Sequence, residues 1–488
     1  MLAHHLVDAL EPRTLLAVHF GSLITVGIEE SPETPVSIAV DASGNTYVAG
    51  TFGDTVNFNP NGHRTALASV GGADIFIAKY TPTGALAWAR RIGNSSDDLI
   101  TDMGIDARGN VYLAGQFART LDADPGKGVY NLQSRGGADV YIIKLTCTGA
   151  FAWAGSIGGR FDDTVSGLAV APSGNLYMGG LFLMSADLDP GSAKRVVNSA
   201  DTADVYLLKL NTSGKLLWQK AIQGDGDRGY YVRSSALSIG PAEDLYLCGT
   251  FSGRIDFDPG AGLARRAADD VQAYLLRLNS QGTLVFADAF GADGAVTPKS
   301  LAVDSTGAAV ILGTFTDDPD FDPGPNERIL TELGDGTGDM FLSRITRSGK
   351  LSWVRQAGGS DAEIVPTAVT TDAAGNVLVT GAFVDTVYFG NAATLTADAD
   401  QQPEFTVPTP DGANLFLTRY TSSGALSYAR RIGGDQAALL ATDVVVSAGG
   451  KIHLLGMFAG TADFAPGAQK ELRQADGDGD MFVLTLLP

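Results

Sequence analysis

The chain has 488 residues, 44% of them hydrophobic and 18% charged, and its 55 Asp and Glu outweigh 34 Lys and Arg for a formal net charge of -21. Such a surface repels a phosphate backbone, which argues against nucleic acid as a partner. No apolar run reaches the roughly 18 residues of a membrane helix, and the two cysteines, Cys147 and Cys248, occupy different positions of the repeat described below, which supports neither a disulfide framework nor a metal cluster.

The opening segment Met1 to Leu10 lacks a basic region followed by a continuous apolar stretch, so it does not read as an ordinary secretory signal. An apolar segment, Leu16 to Ile24, comes next. From there the chain is periodic. Val36-Ser-Ile-Ala-Val-Asp-Ala-Ser-Gly-Asn45, Asp102-Met-Gly-Ile-Asp-Ala-Arg-Gly-Asn110 and Ser166-Gly-Leu-Ala-Val-Ala-Pro-Ser-Gly-Asn175 are followed by matching segments ending near Asp244, Ala308, Asn376 and Lys451, spaced 64 to 75 residues apart.

Each copy reads as four short strands. An alternating run such as Ile38 to Val40 is the first, and a Ser-Gly-Asn turn feeds the second, Thr46 to Phe52. The third begins on an acid or amide and carries a cation five positions later: Asp74 with Lys79, Asp139 with Lys144, Asp204 with Lys209, Gln272 with Arg277, Asp339 with Arg344, and Asn414 with Arg419. A second Gly turn then leads into a fourth strand with a central aromatic, namely Trp88, Trp153, Trp218, Phe286, Trp353 or Tyr428. Seven such copies predict an all-β fold: one seven-bladed β-propeller of four-stranded antiparallel blades.

The seventh copy stops at Met481 to Pro488, where its third strand ends. Phe20 and Ile24 repeat the four-residue spacing of Trp88 and Ile92, so residues 16–26 are expected to supply the missing fourth strand and close the ring from the other terminus. The expected organisation is therefore a tail, residues 1–15, followed by a propeller, residues 16–488.

Candidate chemistry is sparse. The histidines are His4, His5, His19, His63 and His453, and none has a ligand partner at metal-binding spacing. The most suggestive repeated element is Asp-x-Asp-Pro-Gly after the second strand. It occurs at Asp122 to Gly126, Asp187 to Gly191, Asp256 to Gly260 and Asp320 to Gly324, and is degraded to Asn57-Phe-Asn-Pro-Asn61 in the first copy. Paired hard oxygens make Asp256, Asp258, Asp320 and Asp322 candidate calcium ligands. The competing expectation is a turn in which Asp accepts local backbone N–H groups, and it is preferred because two carboxylates fall short of a calcium shell. The run Asp476-Gly-Asp-Gly-Asp480 lacks the later Gly and Glu of a helix-loop-helix calcium site and is expected to be a loop entering the last strand.

At Ala39 to Asn45 with Gly72 to Lys79, and Ala302 to Gly307 with Gly338 to Arg344, the chain resembles the bacterial seven-bladed propeller repeat family known as SBBP repeats. Leu10-Glu-Pro-Arg-Thr-Leu-Leu16 is similar to the LEPR-x-LL element at the N-termini of large bacterial surface-type proteins, a resemblance that implies export or envelope association. Thr83-Gly-Ala-Leu-Ala-Trp88 and Ser213-Gly-Lys-Leu-Leu-Trp218 resemble the docking motif of pyrroloquinoline-quinone enzymes. In that family the Trp packs between blades and does not touch cofactor.

The expected function is a non-catalytic extracellular or cell-envelope binding or scaffold propeller, monomeric, without a cofactor, its partner a protein or glycan at the cell surface. Two alternatives stand beside it. One is a propeller enzyme with its site in non-repeated loops over a central channel, where Ala392 to Pro410 is the longest copy-specific connection. The other is a calcium-binding propeller that uses the Asp-x-Asp-Pro-Gly loops.

Overall fold

The structure, a computed structural model, describes residues 18–27, 34–60, 62–224, 230–334, 338–360, 362–390, 393–396, 412–434, 437–467, 469–476 and 479–488. All regular elements among them are β-strands. Antiparallel pairing joins Thr34–Val40, Thr46–Phe52, Asp74–Tyr80 and Leu86–Ile92 in that order into a first four-stranded unit. The same order recurs in units that open at Asp98, Thr164, Tyr231, Ala292 and Glu363. Short pairings such as Gly158 with Asp187 and Gln223 with Asp256 link the second, third and fourth units at their rims.

The last unit takes Ala437–Val446, Ile452–Asp463 and Asp480–Leu487 from the end of the chain and His19–Val26 from its beginning. Met481 pairs with Val26, Val483 with Ile24 and Thr485 with Ser22. Backbone groups of Asp480–Leu487 that would form an open edge are thereby paired. Of the expected strand, residues 16 and 17 lie outside the described residues.

The register differs from the one expected. In the first unit Lys79 faces Trp88 and Ile75 faces Ile92, so the equivalents in the last unit are Ser22 and Val26 rather than Phe20 and Ile24. Each fourth strand carries one extra residue near its start, and here Gly21 fills that bulge, its α-carbon too close to the Thr485 carbonyl for a side chain.

Second and third strands are buried on both faces, which explains their continuous apolar sequences: Tyr47, Val48, Ala49, Ile75, Phe76, Ile77 and Ala78 all have no exposure. The core is accordingly divided into layers between units. Ile75 and Ile77 meet Leu113, Tyr141 and Ile143 of the second unit, and Val48 and Phe76 meet Leu455, Met481, Val483 and Val26 of the last.

First strands of successive units lie against one another, and that of the last unit lies against that of the first. Every first strand is bulged at the same place, between Pro35 and Ser37 and at its equivalents. In three units the residue after the bulge is an acceptor that reaches across to the next unit. Asp443 accepts the Ile38 N–H at 3.0 Å, Asp102 that of Leu168 at 2.8 Å and Ser300 that of Val369 at 3.2 Å. These N–H groups are thus satisfied on an edge with no further strand.

Acid groups are also buried between units. Asp98 faces Phe117 at the start of the second unit, where the equivalent positions hold Val232, Val296, Ile364 and Leu439. Burial pushes the Asp98 carboxyl up to about 7, against the opposing bond from the Asn94 N–H and with the charge of Asp74 adding to the rise. Burial raises Asp163 to about 7 and Asp443 to about 7. A carboxyl that binds its proton more tightly when folded contributes stability at low pH, and that stability is lost as pH climbs from the unfolded value near 3.8 through about 7.

Two outcomes follow. Asp98→Asn keeps an acceptor for the Asn94 N–H without the charge, so it should raise the Tm at pH 8, with the gain shrinking as pH is lowered toward 4; a gain that does not vary with pH would contradict the assignment. Deleting residues 1–27 should lower the Tm and cause aggregation, whereas deleting residues 1–14 should not, and thermal melts of the two truncations side by side decide it.

Candidate functional site

Groups that recur in several units engage one another within each unit and across the junctions. The third-strand cation stands opposite a second-strand tyrosine in the first four units. Lys79 Nζ lies 4.6 Å from the Tyr47 ring centre and 3.5 Å from Asp41 in the turn between the first two strands. Lys144 repeats this with Tyr112 and Asp106, and Arg344 and Arg419 pair with Asp304 and Asp372 at 2.6 Å each. Burial alone would raise Asp41, but bonds from Asn45, Tyr47 and Ser43 hold it below the usual carboxylate range.

The aromatic opposite that cation caps the following unit. Trp88, Trp153, Trp218 and Trp353 donate Nε1–H to the turn carbonyls of Cys147, Thr212, Ser280 and Ser422 at 3.2, 3.1, 3.2 and 3.0 Å. Their rings lie on the turn glycines: a β-carbon on Gly149, Gly214 or Gly424 would fall within 3.0 Å of indole carbon. Glycine is needed there twice over, because φ is +75°, +80° and +82° at these positions.

The last unit departs from all of this at once. Opposite Thr485, where the other units carry Lys or Arg, stand His453 on one side and Ser22 on the other, and Ser447 replaces the turn acid. Four shortened side chains leave a cleft of about 560 Å³ between the last unit and the first. Its floor is His453, Thr485 and Ser22, and its walls include Asp41, Pro82 and Gly84 of the first unit. Gly84 has φ +81° like its equivalents, yet a β-carbon there would meet Ile24 at 3.7 Å rather than an indole ring.

His453 is 5% exposed. Burial, with the nearby Lys451 charge, lowers it to about 4, so the imidazole is neutral at pH 7. Nδ1 lies 3.1 Å from Thr485 Oγ1, while Nε2 is buried without a hydrogen-bond partner. Sequence reasoning set His453 aside because it has no partner at ligand spacing. The signal that finds it is the column it occupies, Tyr in four other copies.

The Asp-x-Asp-Pro-Gly carboxylates organise their own loops. Asp256 Oδ1 accepts the N–H groups of Asp258 and Ala264 at 3.1 and 2.9 Å, and Asp258 Oδ1 that of Gly260 at 2.8 Å. Asp320 and Asp322 repeat this with Asp322, Arg328 and Gly324 at 2.9, 2.7 and 2.8 Å. Asp122 and Asp187 do the same, and Asn57 substitutes with its amide oxygen. Among the described residues no three His, Cys, Asp or Glu side chains form a metal-binding group.

Other candidate segments are only partly in view. The Leu10 to Leu16 motif, most of Ala392 to Pro410, and Gly477 and Asp478 of the acidic run lie outside the described residues. Asp480 begins the last third strand and accepts the Asp476 N–H at 3.3 Å. Cys147 is exposed and Cys248 buried, both free thiols.

A family model described as a beta-propeller repeat (SBBP) matches residues 352–382, from the fourth strand of the fifth unit into the second strand of the sixth. An uncharacterized WD repeat-containing protein of Acanthamoeba polyphaga mimivirus is 23% identical over 229 residues, 42% of this chain and 16% of that protein. Regulatory protein FlaEY of Caulobacter vibrioides is 25% identical over 181 residues, 36% of this chain and 18% of that protein. The chain therefore spans less than a fifth of these relatives. Together with the repeat match, the WD-repeat likeness supports a β-propeller family. Similar solved structures include a chain of a mitotic checkpoint complex, at TM-score 0.41 and 8% identity over 99% of this chain and 98% of that one. A polysaccharide lyase, an ulvanlyase, has TM-score 0.43 and 11% identity over 91% and 96%.

The loop bonds of Asp256 carry a definite expectation. Asp256→Ala removes the acceptor of two N–H groups and should cost about 1–2 kcal/mol of stability. Thermal melts in calcium and in chelator should coincide, and a calcium-specific rise in Tm lost in this variant would make the loop an ion site.

Proposed function

We propose that the chain is one seven-bladed propeller of residues 16–488, its ring closed by the N-terminal strand, and that it acts as a non-catalytic binding or scaffold module at the cell surface or in the envelope. The observation that carries the binding reading is the distribution of polar groups. Repeated carboxylates, cations and indoles are used between strands and units, as in the Lys79, Tyr47 and Asp41 set, while Ser22, His453, Thr485 and Ser447 depart from the repeat together at one cleft. A rigid repeat scaffold with an irregular recess at one junction suits recognition. The β-propeller fold supports the same role, and no helix among the described residues is long and apolar enough to cross a membrane.

Closure is supported by the pairing of His19–Val26 with Asp480–Leu487 and by the core shared between the last and first units. Surface or envelope location rests on the resemblance of Leu10 to Leu16, and a protein or glycan is the partner class that location offers. Calcium plays no part in this reading, since the Asp256 and Asp320 carboxylates serve their own turns.

A screen of the full chain against hydrolase, lyase and oxidoreductase substrates should detect no turnover. Robust turnover abolished by His453→Ala, in a variant that melts like the parent, would instead make the cleft an active site.

A further inference from the structure

We infer that the cleft between the last and first units binds an indole group, in the place that the chain's own tryptophans occupy at four other junctions. This names the ligand class of the binding module proposed above and rests on that reading. At those four junctions the ring lies on a turn glycine and its Nε1–H meets the carbonyl two residues before that glycine. The first unit presents the same receptor. Its turn Thr81-Pro-Thr-Gly84 has the same shape, closed by the Gly84 N–H on the Thr81 carbonyl at 2.9 Å as Gly149 closes on Thr146 at 2.8 Å. The Pro82 carbonyl is the equivalent of the Cys147, Thr212, Ser280 and Ser422 acceptors.

What the last unit lacks is the ring itself. Ser22 stands opposite Thr485 where Trp88, Trp153, Trp218 and Trp353 stand opposite Lys or Arg. Ile24 replaces Arg90 and Arg355, whose guanidinium groups lie 5.5 Å from the neighbouring indole and bond the next turn at Gly149 and Gly424. The receiving turn is kept while the indole that covers its equivalents is absent, leaving the smaller Ile24 side chain against Gly84. Because the recess of about 560 Å³ is larger than one indole and is also lined by Thr485 and Asp41, the ligand can carry further polar substituents. A ring in this recess would displace water from Gly84, Pro82 and Ile24 while its N–H found a ready acceptor, which is the arrangement that makes a Trp contact favourable elsewhere in the chain.

The test uses the full chain and two probes, 5-fluoroindole and N-acetyl-L-tryptophanamide, followed by fluorine NMR for the first and thermal melts for both. Each should bind at millimolar concentration and raise the Tm by a few degrees through mass action. A larger shift with the amide assigns the site to a tryptophan of a polypeptide partner, and a larger shift with the free ring assigns it to a small molecule. Ser22→Trp fills the recess from within and should raise the Tm without ligand while abolishing both shifts. Ser22→Tyr, a smaller filling of the same recess from the position opposite Thr485, should abolish the fluorine signal of bound ring even if Ser22→Trp folds poorly. Absence of binding in the parent chain, or binding that survives both substitutions, overturns the indole assignment. Non-catalysis is tested separately by the turnover screen.

Discussion

A four-stranded sheet with two apolar faces cannot stand alone in water, and nearly every other feature of this chain follows from that constraint. The second strand Thr46–Phe52 buries its residues on both sides, so each unit must have a neighbour against each face. The layers that result are where the hydrophobic free energy resides, and they alternate along the chain: Ile75 and Ile77 face the second unit while Phe76 and Ala78 face the last. The turn glycines belong to the same constraint. Gly149 and Gly214 are needed both for positive φ and because a neighbouring tryptophan rests on them, so the composition of one unit is partly set by the next.

The surplus of acid is not simply a solvated surface. Asp41, Asp106, Asp304 and Asp372 sit in turns where hydrogen bonds offset the cost of burial and hold them below the usual range. Asp98, Asp163 and Asp443 lie between units, where burial wins. Two acid populations in one molecule thus respond to pH in opposite senses. The difference lies in the balance of burial against donors, and Asp443 is raised although Ser37, Ile38 and Val444 all donate to it. Asp41 has four, from two N–H groups, an amide and a phenol, and Asp98 has the Asn94 N–H.

In a repeat protein, whatever all copies share serves the architecture, and specificity must come from copies that differ. Here the differences converge because strands from opposite ends of the chain meet. The last unit joins Asp480–Leu487 to His19–Val26, and Ser22 in place of Trp, His453 in place of Tyr and Thr485 in place of Lys all fall at its junction with the first unit. Resemblance to the quinone-enzyme motif extends to the packing role of the tryptophans, since Trp88 and Trp353 pack on the following unit.

Strands, turns and their order were legible in the sequence because they depend on local spacing: Asp41 to Asn45 closes its own turn, and alternation marks the buried faces. The Asp-x-Asp-Pro-Gly turns were legible for the same reason, each Asp bonding N–H groups two and eight residues away. The register of His19–Val26 was not, because Phe20 with Ile24 has the same spacing as Trp88 with Ile92 and only the bulge at Gly21 moves the match to Ser22 with Val26. Nor was the burial of Asp98, whose environment is made by a strand of another unit, nor the cleft, whose walls come from residues more than 400 positions apart, such as Asp41 and His453. Local hydrogen bonds and periodicity are properties of neighbouring residues and are written in their order; recesses and shifted carboxyls are properties of surfaces brought together by pairing, and only the tertiary structure decides which surfaces meet.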